Sequence, residues 1–273
     1  MKLCLIICLL VLTGCPGLPA PSPPDAVAAP DAAAAPDAST PTEAGTLCRW
    51  LPSRAMRGTS APRVVGGKPS VLGLRPWACS LQTPGGWHYC GAVVHTDRVL
   101  LTAAHCQVAF GDVAVCGRTD LSTSAGVERF VTDVRNNAAW HSVASGSDVA
   151  LLLLDAPTGI APLPIGPATA GPMTVLGWGL TSEGAESTVS WLREGTVSAA
   201  SCAPYGSDID ATMLCAAAPG VDGCQGDSGG PLVQGGVHVG ITSWGAGCAR
   251  PGLPGVYTST AAMSEWIKAC SAW

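Results

Sequence analysis

Ser228 lies in a glycine-rich octet, Cys224-Gln225-Gly226-Asp227-Ser228-Gly229-Gly230-Pro231, whose residue types suit nucleophilic catalysis. A serine hydroxyl becomes a useful nucleophile when a base takes its proton and a donor pair receives the developing oxyanion. Glycines beside the serine let backbone N–H groups approach the reacting carbon closely. We therefore predict Ser228 as the nucleophile and the N–H groups of Gly226 and Ser228 as oxyanion donors. Asp227 is left as a carboxylate that needs a cationic partner.

Chain order indicates which residues assist the serine. Gly-x-Ser-x-Gly also occurs in the nucleophile elbow of α/β-hydrolases, where the acid and the histidine follow the serine. Here His105, in Leu-Thr-Ala-Ala-His-Cys, and Asp148, in Asp-Val-Ala-Leu-Leu, both precede it. A carboxylate at the start of an apolar strand is costly unless it is paired. We predict His105 as general base and then general acid, held in its tautomer by Asp148.

Together these motifs resemble those of the trypsin-like, chymotrypsin-fold serine peptidases, and the resemblance covers residues 64–273. It implies an all-β fold of two six-stranded antiparallel β-barrels with a C-terminal α-helix. It also implies that Gly177-Trp178-Gly179 lies beside the oxyanion turn, and that Ser243, Trp244 and Gly245 form an edge that pairs with the substrate backbone. The other four histidines are expected at the surface or in packing positions: His88, His95, His141 and His238.

Local patterns alone indicate less about the fold. Short apolar runs between turn residues predict an all-β chain, either a barrel or a sandwich. A helical period is found only at Ala261–Ala269, where Met263, Trp266 and Ile267 share a face. The predicted strands include 77–83, 90–94, 98–101, 112–116, 149–154, 173–177, 195–199 and 231–244.

The resemblance also sets a register for the substrate pocket. Asp222 is expected at its base, with Gly245 and Gly255 on the walls leaving room for a long side chain. Because a buried carboxylate demands a cationic partner, we expect cleavage after Arg or Lys. Gly223 stands where relatives that accept lysine well often present a serine hydroxyl. A guanidinium should therefore be favoured over an ammonium, by about tenfold in kcat/KM.

The sequence Arg63-Val64-Val65-Gly66-Gly67 resembles the activation junction of the same family. In the family, cleavage there creates an α-ammonium that pairs with the acid preceding the nucleophile, which here is Asp227. We therefore predict a pro-segment at residues 46–63, a peptidase domain at residues 64–273, and a zymogen that is cut by another trypsin-like protease.

The first 45 residues indicate export. The apolar run Leu3–Leu12 follows Lys2 and is too short to span a bilayer, so residues 1–14 are predicted to be a signal peptide. Leu-Thr-Gly-Cys15 resembles a bacterial lipobox, which implies a lipidated Cys15 and a membrane-anchored lipoprotein of a bacterial envelope. A signal peptide with a chance cysteine, and hence a secreted protein, is the alternative. Residues 15–45 are rich in Pro and Ala and predict an extended tether.

Cys4, Cys8 and Cys15 belong to these leader segments, so ten of the 13 cysteines remain, an even number as a disulfide framework requires. The resemblance implies three bonds: Cys90–Cys106, Cys202–Cys215 and Cys224–Cys248. The other four cysteines, Cys48, Cys79, Cys116 and Cys270, allow three pairings. We favour Cys79–Cys116, because the matching family strands are neighbours, and Cys48–Cys270, which would keep the pro-segment attached.

Charge and motifs exclude other classes of function. The net charge of −5 argues against nucleic-acid binding, and no nucleotide or redox cofactor motif occurs. No metal is expected, because Arg118 stands where calcium-binding relatives place an acid. The expected partners are protein or peptide substrates, and the protein is expected to be a monomer. The rival hypothesis is a catalytically inactive binding lipoprotein on the same fold, against which the intact triad and oxyanion glycine argue.

Overall fold

A computed structural model describes residues 48–49, 64–180, 182–183 and 190–273 of the 273-residue chain. The predicted signal peptide and tether, including Cys15, lie outside the described residues. So does the pro-segment apart from residues 48–49, and Arg63 with it. Within the described ranges, no helix combines the length and the apolar character needed to cross a membrane.

The described residues form fourteen strands and one α-helix. The strands are β1 Cys48–Arg49, β2 Lys68–Pro69, β3 Ala78–Gln82, β4 His88–Val94, β5 Val99–Thr102, β6 Val113–Cys116, β7 Val127–Asn137, β8 Ala150–Leu154, β9 Pro172–Gly177, β10 Arg193–Ala199, β11 Met213–Ala217, β12 Pro231–Gln234, β13 Val237–Trp244 and β14 Gly255–Ser259; the helix α1 is Ser264–Cys270.

These strands make two closed antiparallel β-barrels of six strands each, which confirms the fold class expected from the resemblance. The first barrel has the order β3-β4-β5-β8-β7-β6 and closes through β6 and β3. The second has the order β9-β10-β11-β14-β13-β12 and closes through β12 and β9. The two-residue strands β1 and β2 add to β7 and β10 outside the rings.

Several element boundaries differ from the local patterns. The predicted run 231–244 is two strands, β12 and β13, joined by the two-residue hairpin loop Gly235–Gly236. The long strand β7 lies outside the predicted runs because charged residues interrupt its apolar positions, and the short strands β11 and β14 lie outside them too. The helix begins three residues later than predicted, at Ser264, because Ala261–Met263 form a turn.

Apolar side chains fill each barrel and also join the two. Leu81, Leu101 and Leu151 lie in the core of the first barrel, and Met173 and Leu232 in that of the second. A third cluster takes Ala78 and Val93 from the first barrel and Leu176, Trp178 and Val233 from the second. This cluster fixes the barrels against each other, so residues at their junction can form one site.

All ten cysteines of the described residues form disulfides, in the predicted pairs: Cys48–Cys270, Cys79–Cys116, Cys90–Cys106, Cys202–Cys215 and Cys224–Cys248. Cys79 and Cys116 are opposite each other on β3 and β6. Cys48 is joined to the end of α1 while its strand β1 pairs with β7. The start of the predicted pro-segment is thus fixed to α1 by one covalent bond and to the first barrel by a short strand pairing.

Candidate active site

His105 and Asp148 come from neighbouring strands of the first barrel. His105 lies in a short 3-10 helix directly after β5, and Asp148 lies just before β8, the partner of β5. The His105 Nδ1–H donates to Asp148 Oδ2 at 2.6 Å, and the backbone N–H of His105 donates to Asp148 Oδ1 at 2.9 Å. The carboxylate therefore fixes the ring with its proton on Nδ1, which leaves Nε2 able to accept a proton.

The second barrel supports Asp148 as well. Ser243 Oγ donates to Asp148 Oδ2 at 2.5 Å, and Thr258 Oγ1 donates to the Asp148 carbonyl at 3.0 Å. Burial alone would raise the pKa of Asp148, but the charge of His105 and the hydrogen bonds from His105 and Ser243 lower it below its usual value. Burial would likewise lower the pKa of His105, but the Asp148 carboxylate raises it. An ionised Asp148 therefore stabilises positive charge on His105.

The turn that carries Ser228 is fixed between the barrels. The Gly91 N–H donates to the Ser228 carbonyl at 2.7 Å, and the Gly229 N–H donates to the Thr242 carbonyl at 2.8 Å. A Cβ built on Gly229 would lie only 2.2 Å from Thr102 Oγ1. The turn therefore packs against the end of β5, the strand that leads into His105.

Ser228 also lines the same pocket as Ser243, the residue that donates a hydrogen bond to Asp148. Among the described residues, no acceptor pairs with the backbone N–H of Gly226 or of Ser228. Two donors are thus available beside the serine hydroxyl, as stabilisation of an oxyanion requires.

His88 has a more specific position than the surface or packing role expected from the sequence. Its Nδ1 lies 2.8 Å from Ser80 Oγ and its Nε2 lies 3.1 Å from the Gly226 carbonyl oxygen. Burial lowers the pKa of His88 to about 4, so the ring is neutral at pH 7. Because a carbonyl only accepts, Nε2 carries the proton and Nδ1 accepts from Ser80. His88 thereby orients the Gly226 peptide, a role that no sequence motif indicates.

Asp227 is fully buried beneath the turn. Its Oδ1 accepts a hydrogen bond of 2.6 Å from the Gly179 N–H, and its Oδ2 accepts one of 2.9 Å from the Cys224 N–H. Burial, with a smaller contribution from the charge of Asp222, raises the pKa of Asp227 to about 8. The Gly177-Trp178-Gly179 segment therefore lies beside the turn, as expected.

Asp222 lies at the base of a cavity of about 170 Å³ that opens beside Ser228. It is only 4% exposed, and burial raises the pKa of its carboxyl to about 6. Oδ2 accepts a hydrogen bond of 3.0 Å from the Ala249 N–H, whereas Oδ1 has no partner among the described residues. A Cβ on Gly255 would lie 2.5 Å from Oδ1, so glycine is needed there to keep the carboxylate accessible.

The remaining predicted pocket residues, Gly223, Trp244 and Gly245, line the same cavity. Trp244 is held by an edge-on contact with Tyr205, with ring centroids 4.7 Å apart. Tyr257 also lines the cavity, and its buried hydroxyl has no hydrogen-bond partner among the described residues. Sequence reasoning missed Tyr205 and Tyr257, because neither lies in a motif.

The segment that follows the predicted junction lies against this pocket. Val64 is fully buried among core residues of the second barrel, including Val175 and Val197. The Val65 N–H donates to the Asp222 carbonyl at 3.0 Å. The first residues after Arg63 thus contact the loop between β11 and β12, which carries Asp222.

Comparison with known proteins agrees with this arrangement. The family model described as Trypsin matches residues 64–267, well over half of the chain. The chain belongs to the trypsin family. It is a serine-type endopeptidase, a class in which a serine attacks with the help of a carboxylate-held histidine.

Individual relatives match the same region. Trypsin beta of Drosophila erecta is 40% identical over 221 residues, which is 75% of this chain and 87% of that protein. A trypsin of Saccharopolyspora erythraea is 40% identical over 219 residues, which is 74% of this chain and 95% of that protein. Among solved structures, neuropsin, a serine protease expressed in the mouse brain, aligns with a TM-score of 0.71 at 30% identity, over 75% of this chain and 98% of its own.

A side-chain cation, Arg118, spans the loop between β6 and β7. Arg118 is 7% exposed, and its Nη2 donates to Glu128 Oε1 at 2.8 Å. Its Nε also donates to the Ala125 carbonyl. The guanidinium thus joins the two ends of the loop.

Proposed function

We propose that this chain is an exported endopeptidase, made as a zymogen, that hydrolyses peptide bonds after Arg and, less efficiently, after Lys. In this proposal Ser228 attacks the scissile carbonyl while His105 takes its proton and then delivers it to the leaving amine. Asp148 stabilises the imidazolium. The N–H groups of Gly226 and Ser228 stabilise the oxyanion.

The observation that carries the specificity is the unpaired oxygen of Asp222. A buried carboxylate oxygen without a partner is costly, and a cationic side chain entering the pocket would remove that cost. A neutral side chain would displace water from the carboxylate without replacing its interactions. The Tyr257 hydroxyl offers a second polar contact at the same depth.

The preference for Arg over Lys rests on Gly223. A guanidinium presents several donors in a planar fork and can reach both Asp222 and Tyr257, whereas an ammonium is a compact charge at the end of a flexible stem. Since Gly223 adds no side-chain acceptor, the ammonium is satisfied less completely.

The zymogen proposal rests on Asp227. Its buried carboxylate with a raised pKa is the kind of group that a new α-ammonium at Val64 would stabilise. Cleavage of the Arg63–Val64 bond by another trypsin-like protease would supply that amine.

Export and anchoring rest on the leader alone. In the proposal Cys15 is lipidated and the tether of residues 15–45 holds the peptidase away from the membrane. Since two or more acyl chains anchor a protein stably, replacing Cys15 by Ser should move the protein to the soluble exported fraction. Unchanged membrane association of Cys15→Ser would reject lipidation there and leave export by an ordinary signal peptide.

The test of specificity is a panel of identical peptides with Arg, Lys, Phe, Leu or Ala at the cleaved position, incubated with enzyme cut at Arg63–Val64. We expect kcat/KM to be highest for Arg, about tenfold lower for Lys and lower still for the neutral residues. A preference for Phe or Leu would reject the role of Asp222. Equal rates for Arg and Lys would reject only the argument from Gly223.

The same preparation decides between a peptidase and an inactive binding protein on this fold. A serine-directed phosphonate should label the cut wild-type chain once, at Ser228, and should leave Ser228→Ala unlabelled. A cut chain that resists labelling and cleaves nothing in the panel would favour the binding protein.

A further inference from the structure

Glu194 is another buried carboxylate of the second barrel, and it is paired with cations of the same chain. It stands on β10, opposite Lys68 of β2. Its Oε2 accepts hydrogen bonds from Arg75 Nη2 at 3.1 Å and from Arg75 Nε at 3.3 Å. A buried carboxylate is costly unless it is paired, so these charge-assisted contacts connect β10 firmly to the segment before β3.

The two cations that face Glu194 differ in how far water reaches them. The Arg75 side chain is 24% exposed, whereas the Lys68 side chain is 78% exposed and its Nζ lies 3.9 Å from Glu194 Oε1. Ion pairs that are open to solvent contribute little to stability. Arg75 is therefore the partner that holds Glu194, and Lys68 offers a natural comparison.

The segment of residues 67–70, which contains β2, lies along the start of β10. The Ser70 N–H donates to the Leu192 carbonyl at 2.8 Å, and Arg193 Nη2 donates to the Gly67 carbonyl. The strand β2 is only two residues long, so its backbone pairing with β10 is weak by itself. Side-chain contacts are therefore needed to hold this segment at a fixed position on β10.

Val64, the residue that becomes the N-terminus after the proposed cut, lies directly beside this anchored segment. A Cβ built on Gly195 would lie 3.4 Å from Val64 Cγ1. A Cβ built on Gly67 would lie 3.0 Å from Val64 Cγ1 and 3.0 Å from the Glu194 carbonyl oxygen. Only two residues separate Val64 from Gly67. A shift of the segment along β10 would therefore move Val64 with it.

We propose that Glu194, held by Arg75, is a positioning residue for activation. It fixes the segment after the cut bond on β10, so that the new Val64 amine is held beside Asp227. An amine on a short tether acts at an effective concentration that depends on where the tether is attached. An attachment that shifts on β10 lowers this concentration, so fewer cut chains have the amine in place. This inference rests on the proposed function, because it takes Val64 as the new N-terminus.

The test compares wild-type chain with Glu194→Gln after both have been cut to completion between Arg63 and Val64. The glutamine keeps the size of the side chain and removes its charge. We expect kcat/KM on an Arg peptide to fall about three- to tenfold. Millimolar Val-Val amide should restore most of this loss, because its free amine can pair with Asp227 in molecules whose own N-terminus is displaced. It should leave the wild-type rate unchanged.

Restoration by the dipeptide separates positioning from a merely structural role. A variant that lost activity through a distorted pocket or through unfolding would gain nothing from an added amine. The double variant Glu194→Gln/Arg75→Gln leaves no unpaired charge at this site, so it should fold even where a single change does not. It should show the same loss and the same restoration.

Two control variants make the result specific. Glu128→Gln breaks the contact of 2.8 Å between Glu128 Oε1 and Arg118 Nη2 in the first barrel, and it should keep the wild-type rate with and without dipeptide. Lys68→Ala removes only the exposed cation and should change the rate by less than about twofold.

The inference would be overturned by wild-type activity in Glu194→Gln and in the double variant. A loss of activity that the dipeptide does not restore would overturn it equally. A wild-type chain that gains no activity when the Arg63–Val64 bond is cut would instead overturn the zymogen proposal on which it rests.

Discussion

The buried active-site carboxylates of the two barrels differ in their hydrogen-bond partners and in the direction of their pKa shifts. In the first barrel, both oxygens of Asp148 are bonded to His105 and the pKa of Asp148 is lowered. In the second barrel, burial raises the pKa of Asp222 to about 6 and that of Asp227 to about 8. No Lys, Arg or His side chain in the described part of the chain forms an ion pair with either of these two.

This difference indicates how the site is completed. The His105–Asp148 pair is finished within the folded chain, so it is ready before any substrate arrives. Burial of ionised Asp222 and Asp227 in the second barrel costs free energy until a cation pairs with each of them. In our account the substrate side chain supplies the cation for Asp222, and the new amine of Val64 supplies it for Asp227.

The largest effects on activity should come from removing the proposed nucleophile Ser228 or from breaking the His105–Asp148 pair. Ser228→Ala should leave less than about a hundredth of wild-type hydrolysis, because the attacking group is lost while packing is hardly changed. Asp148→Asn should lower kcat by about 10⁴-fold, because an amide no longer holds the required tautomer of His105. Steady-state kinetics on an Arg peptide measure both, with the exposed Asp208→Asn as the control, expected at wild-type rate. Near-wild-type activity in either site variant would contradict the assignment.

The motif residues and the fold were predictable from the sequence, because their chemistry dictates both residue type and order. His105, Asp148 and Ser228 stand in short segments whose function restricts every neighbour, and the fold follows from the resemblance that these segments carry. The roles of His88 and Tyr257 were not predictable. The role of His88 depends on one contact across a long sequence separation, from its Nε2 to the Gly226 carbonyl, and that of Tyr257 depends on its position in the same cavity as Asp222. Strand β7 was missed because its alternation is broken by charged residues on the outer surface of the barrel.

The affinity for a cationic ligand should change about tenfold per pH unit below the pKa of Asp222, and this change should not depend on His105. Below about pH 6 the Asp222 carboxyl is protonated, so a cation must displace a proton in order to bind. Benzamidine, a cation that fills such a pocket without reacting, should therefore bind at constant affinity above this pH and about ten times more weakly for each unit below it. Calorimetric titration from pH 4.5 to 8 measures this directly, and Asp222→Asn should abolish the dependence. A benzamidine affinity unchanged down to pH 4.5 would mean that the carboxyl has an ordinary pKa.

Cleavage should leave the pro-segment attached, with no loss of activity. The Cys48–Cys270 bond joins residues on the two sides of the junction, so the cut enzyme should migrate as one species without reductant and as two with it. Cys48→Ser should release the pro-segment when the chain is cut. Peptide mapping that found Cys48 free, or joined to Cys79, would contradict this pairing.

The smallest effect should come from chelation. Because the Arg118 guanidinium joins the ends of its loop, EDTA should leave the melting temperature of the peptidase unchanged. Arg118→Ala should lower that temperature, since it breaks a charge-assisted contact of a buried group with Glu128. A clear loss of stability on chelation would show that the loop needs a metal ion after all.

Activity and N-terminal sequence measured in the same samples during activation show whether the Val64 amine completes the site. Full-length chain should be nearly inactive on an Arg peptide, and activity should rise in proportion to the chains that begin Val-Val-Gly-Gly. Arg63→Gln, which removes the residue at the predicted cleavage bond, should remain uncut and inactive under the same treatment. Full activity of an uncut chain, or a complete cut at Val64 without gain in activity, would contradict activation by the Val64 amine.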